Sequence, residues 1–377
     1  MNFDFSENEK SLCQMVKGLF DQDSRASLDQ LETGGSKEIR GILSHWMRAL
    51  GQAGYLALGL EHGKNNVGLL AAQETLASIS PSLFLAVEVS TRVFGRLVAT
   101  YGGPDQQTEI LPALKEGRLI GAVGLSEEGM NIENNLFNTE GIRRGDGLQV
   151  SGSKWHVVNG PIADYIAVAG KEGDRVAFFM IQKETEGLLI GERLPTLGYN
   201  GAVISPISLK GCFVLSSDVL GPFEGSEPLK AVRIWENQVL TAASLGLMQC
   251  AMDAAVDYAK THHSGGKPII AYQEVGFKLA EMLTLLQTAR LLAYRAAWMT
   301  DVDDKEAGVL THCAKVFCAE SVEAVTSHAL QVLGGQGYRL GNAAEKGYRN
   351  AKYLQIAGTS SEISRMKIGD ALLERNW

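Results

Sequence analysis

The sequence predicts a mainly α protein with a central β domain: an N-terminal helical domain, a small antiparallel β-barrel or sandwich, and a C-terminal four-helix bundle. Three observations carry that prediction. Apolar residues recur at helical spacing in the first third of the chain. Short β-branched and aromatic runs, separated by Gly, Asn and Asp, replace them in the middle, and helical spacing returns over much longer stretches towards the end. The expected boundaries are 1–118, 119–225 and 226–377.

"SENEKSLCQMVKGLF" opens the first domain, with Ser6 as a candidate N-cap and Leu12, Met15, Val16 and Phe20 on one stripe. "NVGLLAAQETLASIS" and "FLAVEVSTRVFGRLVATYG" continue the pattern, and "GGPDQQTEILPALKEG" adds a short helix between Gly and Pro. In the middle zone "GLQVSGSKWHVVNG", "DYIAVAGK", "DRVAFFMIQK" and "ISLKGCFVLSSDVLG" have the length and punctuation of antiparallel strands. The last zone holds "RIWENQVLTAASLGLMQCAMDAAVDYAKTHH" and "YQEVGFKLAEMLTLLQTARLLAYRAAWM", each about 30 residues with a broad apolar face. "DKEAGVLTHCAKVFCAESVEAVTSHALQVLGG" follows, then a short helix from about Ser361, and four such helices pack most economically as a bundle.

Composition narrows the function classes. The chain of 377 residues is 45% hydrophobic, carries a net charge of −8, and has no block of like charges, so nucleic acid is not an expected partner. Cys13, Cys212, Cys250, Cys313 and Cys318 are odd in number, with no CxxC, and the histidines form no HExxH, so no metal site is expected. No strand runs into GxGxxG, which argues against a Rossmann site. No unbroken apolar run approaches the roughly 20 residues of a membrane span. "MNFDFSENEKSL" lacks the basic-then-apolar form of a signal peptide, so a reducing, cytoplasmic setting is expected.

One motif raises a question of chemistry. "QVLGGQGY", Gln331 to Tyr338, follows the apolar run "SVEAVTSHAL". Its glycines suit a left-handed helix C-cap, and equally suit a backbone bared for close approach of a ligand. The larger segment "ALQVLGGQGYRLGNAAEKGYRNAKYLQIAGTSSEISRMKIG" resembles the end of the acyl-CoA dehydrogenase flavoproteins. "GGPDQQTEILPAL", "SGSKWHVVNGPIADYIAVAG", "SLGLMQCAMDAAVDYA" and "QEVGFKLAEM" support the resemblance in the right order.

The resemblance implies FAD as cofactor and an acyl-CoA thioester as substrate. It also implies an electron-transferring flavoprotein as acceptor, and self-association as a homotetramer or assembly with a related subunit. Family members remove an α-proton while the β-hydrogen leaves as hydride, which requires a carboxylate base in a water-poor site. Most place that base as Glu directly before Gly-Thr-Ser, where this chain has Ala357 and Gly358. A minority branch, resembling isovaleryl-CoA dehydrogenase, carries it on the first long bundle helix, and Glu236 in "WENQVLTAASLGLMQ" falls there. The alternative for Glu236 is a solvated carboxylate in the helix's first turn. Glu88 in "LFLAVEVS" is a further acid, read more readily as an exposed helix face, and His156 a further base.

Cofactor positions implied by the resemblance are Leu125, Ser126, His156, Val158, Gln273, Gln331, Gly334, Gly335, Ser360 and Glu362. The chain departs from the family at several of them. Asn131 and Ile132 replace a Gly-Ser turn, Val158 replaces a hydroxyl residue, and Asn237 replaces an Arg beside the base. His262 stands for the Arg that grips a neighbour's diphosphate, with Lys267 nearby as a substitute cation. Two readings follow: an active dehydrogenase using Glu236, or a catalytically incomplete partner subunit that presents Gln331–Gly335 to another chain's cofactor.

Overall fold

The computed structural model describes residues 4–60, 65–129 and 137–373. In chain order come α1 (Glu7–Gly18), α2 (Ser24–Thr33), α3 (Ser36–Gln52), α4 (Asn66–Ile79), α5 (Pro81–Glu88), α6 (Arg96–Tyr101) and α7 (Pro104–Lys115). Eight strands follow: β1 (Gly121–Gly124), β2 (Glu140–Arg144), β3 (Gly147–Val158), β4 (Tyr165–Glu172), β5 (Arg175–Gln182), β6 (Leu188–Ile190), β7 (Ile204–Leu215) and β8 (Val219–Phe223). The chain ends with α8 (Glu227–Thr261), a hairpin of β9 (His263–Ser264) and β10 (Lys267–Pro268), α9 (Gln273–Asp301), α10 (Ala307–Leu333), α11 (Ala343–Ile356) and α12 (Ser361–Leu373).

Local chemistry explains the helix limits. Ser6 caps α1 as expected: its Oγ accepts from Glu9 N at 3.4 Å, and its own N–H donates to Glu9 Oε2 at 2.6 Å, a reciprocal capping box. The run expected as one helix over "FLAVEVSTRVFGRLVATYG" is interrupted between α5 and α6 by a π-helical stretch, Val89–Gly95. The long C-terminal zone contains one helix more than expected. In α11, Asn342 Oδ1 caps Ala344 N at 2.8 Å, and Ala344, Ala351 and Leu354 are buried. The glycines before it, and its many polar residues, hide it from a periodicity reading.

The molecule divides into two compact units. One comprises Met1–Lys17, Lys64–Phe84 and Arg233–Trp377, the other Gly18–Gly63 and Leu85–Val232. In the first, α10 packs along α9, α11 and α12, and α4 packs on α9. Leu245, Met248, Met282, Leu286, Val322 and Val325 lie in its core. A buried polar network crosses that core: Glu74 accepts from Arg290 Nε at 2.8 Å and from the Tyr294 hydroxyl at 2.9 Å. Asp301 caps α4 through Asn66 N at 2.8 Å and Val67 N at 3.2 Å. By length and composition α8 is apolar enough to cross a membrane, yet 67% of its most apolar window is buried in protein.

The second unit is built on a sheet in the order β6-β7-β3-β2-β4-β5-β8, with β1 added beside β4. Two features depart from the antiparallel barrel or sandwich expected. β1 and β2 both pair with β4 in parallel, and no pairing between the short edge strands β6 and β8 closes the sheet among the described residues. The four fully buried residues of β1, "GAVG", are too few and too uniform to give a period-two signal.

Candidate active site

Glu236 lies in the third turn of α8, half-covered, and its carboxylate is not free. Arg233, three residues earlier on the same helix, donates from Nη1 to Glu236 Oε2 at 2.8 Å. The same Nη1 reaches Gly358 O at 3.3 Å. Gly358 is at φ +63°, and a Cβ placed there would stand 2.8 Å from Leu240 Cδ1, 3.0 Å from Asn237 Oδ1 and 3.5 Å from Glu236 Cβ. Thus the Ala357–Gly358 turn lies against Glu236. The two places where a base was sought are neighbours in space.

Asn237, fully buried, fastens that turn to α8. Its Oδ1 accepts from Thr359 N, and its Nδ2 donates to Thr359 Oγ1, both at 3.1 Å. On α10, His312 Nδ1 lies 3.4 Å from Asn237 Nδ2 and from Ser364 Oγ. One turn further along, the buried Lys315 donates to Gln355 O, near the C-terminus of α11, at 3.2 Å. Burial pushes the Lys315 ammonium down to about 8, with Glu362 and Glu320 offsetting part of the fall. Tyr353 is raised above its ordinary value, first by burial and then by the Glu236 charge. Arg233, Thr359, His312 and Lys315 were not foreseen. The i,i+3 spacing of Arg233 and Glu236 on a helix is the one signal that could have found a member of this group.

Other expected positions in this unit fall in separate places. Gln273 begins α9 and is exposed. Ser360 caps α12, its Oγ accepting from Ile363 N at 3.3 Å. Exposed Glu362 is held below its ordinary value by its own backbone N–H and by the Ser360 hydroxyl. Gln331 is exposed in the last turn of α10, and Gly334 ends that helix at φ +55° and ψ −134°, a conformation that favours glycine. A Cβ at Gly334 or Gly335 would meet nothing within 4 Å, so this backbone is bare. At the β9–β10 hairpin the His262 ring stacks on Tyr258 with centroids 4.7 Å apart, and Lys267 Nζ stands 4.2 Å from the Tyr272 ring centroid.

In the sheet unit, Leu125 and Ser126 follow β1 directly. Ser126 O accepts from Trp155 N at 2.8 Å, and the buried Lys154 donates to Leu125 O at 3.2 Å and to Glu127 Oε1 at 2.6 Å. Burial lowers Lys154 to about 8 against the opposing pull of Glu127. Burial would raise Glu127, but hydrogen bonds from Lys154 and Thr139 hold it below its ordinary value. Between Lys154 and Val157 the β3–β7 register slips, and His156 sits in that bulge at φ +54°, exposed. Val158 is buried at the end of β3. Asn131 and Ile132 lie outside the described residues.

Glu88 requires correction. It is fully buried rather than on an exposed face: Tyr55 donates its hydroxyl to Glu88 Oε1 at 2.8 Å, and Arg92 Nε stands 3.7 Å from Oε2. Arg92 also donates to Tyr55 O and Leu56 O. The π-helical stretch turns both charges inward, a packing that no 3.6-residue reading reveals.

Residues 122–212 match the family model of the acyl-CoA dehydrogenase middle domain, and residues 235–373 that of its C-terminal domain. The 2-methylacyl-CoA dehydrogenase of Solanum tuberosum is 31% identical over 83% of this chain and 78% of its own. The chain belongs to the acyl-CoA dehydrogenase family. It is an oxidoreductase of that kind. The cyclohex-1-ene-1-carbonyl-CoA dehydrogenase of Geobacter metallireducens is 30% identical over 84% of each chain. Among solved structures, PigA with FAD and proline superposes with a TM-score of 0.86 at 22% identity, covering 99% of each chain, and so shares the fold. The family models run from within β1 to within β7 and over nearly all the residues that hold the Glu236 turn, while Arg233 lies just outside them.

Proposed function

We propose that this chain is an FAD-dependent acyl-CoA dehydrogenase in which Glu236 removes the α-proton of an acyl-CoA thioester. The observation that carries the reading is the position of Glu236 against Gly358. The turn that bears the base in most relatives of this kind has Ala357 and Gly358 here, neither of which can take a proton, and a carboxylate from α8 stands beside it. A proton from the carbon next to a thioester carbonyl passes to a Glu236 oxygen while the β-carbon–hydrogen bond breaks with its electron pair. When bound, FAD supplies the acceptor for that hydride.

The bare backbone of Gly334 and Gly335 suits a flat ring or a phosphate laid against it, with Gln331 offering donor and acceptor. Gln273, Ser360 and Glu362 would complete the contribution of the bundle unit, and Leu125, Ser126, His156 and Val158 that of the sheet unit. An electron-transferring flavoprotein would take the electrons onward, and the assembly would be a homotetramer or a heteromer.

A second reading, a partner subunit that completes a cofactor site elsewhere, draws support from two positions. His262 is stacked on Tyr258 rather than presenting a guanidinium fork, and Val158 has no hydroxyl. The visible spectrum of the chain purified alone, with FAD quantified after denaturation, separates the two. Near-stoichiometric flavin supports the autonomous enzyme, and Glu236→Gln should then abolish bleaching by acyl-CoA without releasing FAD. A colourless protein that FAD cannot reconstitute sinks it in favour of the partner subunit.

A further inference from the structure

We propose that Arg233 selects acyl-CoA thioesters whose acyl group ends in a carboxylate a few bonds beyond the α-carbon, and that this carboxylate frees Glu236 by replacing it on the guanidinium. The proposal rests on the reading of Glu236 as the base. Arg233 is largely covered, with 12% of its side chain exposed against 24% for Glu236, so the pair is neither a solvated surface contact nor fully enclosed. One nitrogen, Nη1, serves both Glu236 and Gly358 O, while Nε and Nη2 make no hydrogen bond among the described residues. Half of a rigid fork built for carboxylates is therefore unused. The polar groups nearby are already committed to one another, Asn237 to Thr359 and His312 to Asn237 and Ser364.

This geometry disfavours a plain hydrocarbon acyl group. If such a group leaves the ion pair intact, Glu236 Oε2 stays occupied by the hydrogen bond from Arg233 Nη1 and is not presented to the α-carbon. If it breaks the pair, the guanidinium is left against hydrocarbon without a counter-charge, an arrangement that costs heavily. An anionic acyl terminus avoids both. It satisfies the guanidinium, fills the unused edge of the fork, and releases the Glu236 carboxylate one helical turn away. The substrate's own charge then activates the base, so binding and proton abstraction become coupled.

Isothermal titration calorimetry of the full-length Glu236→Gln protein with glutaryl-CoA and valeryl-CoA tests this. The two have equal chain length and differ only in a terminal carboxylate against a methyl, and the variant prevents turnover. Glutaryl-CoA should bind about tenfold more tightly or better, as charge-assisted pairing to an arginine allows. Adding Arg233→Met should bring the ratio near one, and Arg233→Gln provides the same test if the Met variant does not fold. A ratio near one in Glu236→Gln overturns the proposal, as does a preference that survives loss of Arg233 or a failure to bind either thioester. If Glu236→Gln turns over acyl-CoA as the parent does, the base assignment falls, while the Arg233-dependent ratio still decides the selectivity.

Discussion

Gly358 holds the α11–α12 turn in a left-handed conformation against α8, with no room for a methyl group. At φ +63°, and with Leu240 Cδ1 2.8 Å from where a Cβ would stand, Gly358→Ala combines backbone strain with a displaced leucine. We expect a loss of about 1–3 kcal/mol in denaturant unfolding. On the proposed role of Glu236 as base, catalysis should fall further than stability, because the turn that moves lies on Glu236. An unchanged unfolding midpoint would mean that the turn is not held as described. Lys315 makes a pH-dependent prediction at the other side of this turn. Its folded value of about 8 lies below the ordinary 10.5, so between these limits the unfolded chain binds more protons than the folded one. Lys315 therefore penalises folding fully below pH 8, and the penalty fades as pH rises towards 10.5. The stability of wild type relative to Lys315→Met should rise over that window, read as paired denaturant midpoints. A difference independent of pH would refute the shift.

The π-helical Val89–Gly95 stretch illustrates what periodicity can and cannot reveal about an element. Apolar spacing located a helix over this segment, and Glu88 looked like its solvent face. The wider turn instead buries Glu88 and Arg92 together, with Tyr55 completing the pair. Removing Arg92 should strip buried Glu88 of a counter-charge, although Arg96 still feels its field, so Arg92→Met should cost about 3–5 kcal/mol. Glu88→Gln in the same chain should recover much of that loss, and a cost under about 1 kcal/mol for Arg92→Met would contradict a dry pair. The same limit explains β1 and α11. β1 is buried on both faces, so it has no alternation to detect, and α11 is polar and follows a glycine-rich turn. Long amphipathic helices and two-faced strands were legible because burial of one face imprints a period. The approach of the 357–359 turn to Glu236 was not, because it joins residues more than a hundred positions apart. Glu236 could be singled out through the neighbouring "LGLMQ", but its partner Arg233 precedes the residues that match the C-terminal domain model.

The chain enters the bundle unit three times, and that path sets how the whole molecule must fold. Residues 233–377 supply α9 to α12 and all of α8 but its first six residues, yet they are completed by Met1–Lys17 and Lys64–Phe84, which bring α1 and α4. The ties are specific. Glu74 on α4 takes two hydrogen bonds from Arg290 and one from Tyr294, the Phe5 ring stands 5.3 Å from that of Tyr294, and Asp301 caps α4. A fragment of residues 226–377 would lose Glu74 while keeping the Arg290 cation and the Tyr294 hydroxyl. It would also expose the apolar side chains of α9 that α4 covers. Its composition gives it every signal of an independent helical bundle, and that is the expectation at risk. We predict that the fragment retains helical circular dichroism but lacks a cooperative thermal transition, and that adding residues 1–84 in trans restores one in part. Were the fragment alone to unfold cooperatively near the temperature of the full chain, α1 and α4 would be decoration rather than core. The Glu74–Arg290 network would then have to be read as a local contact instead of the tie that makes a discontinuous unit fold as one.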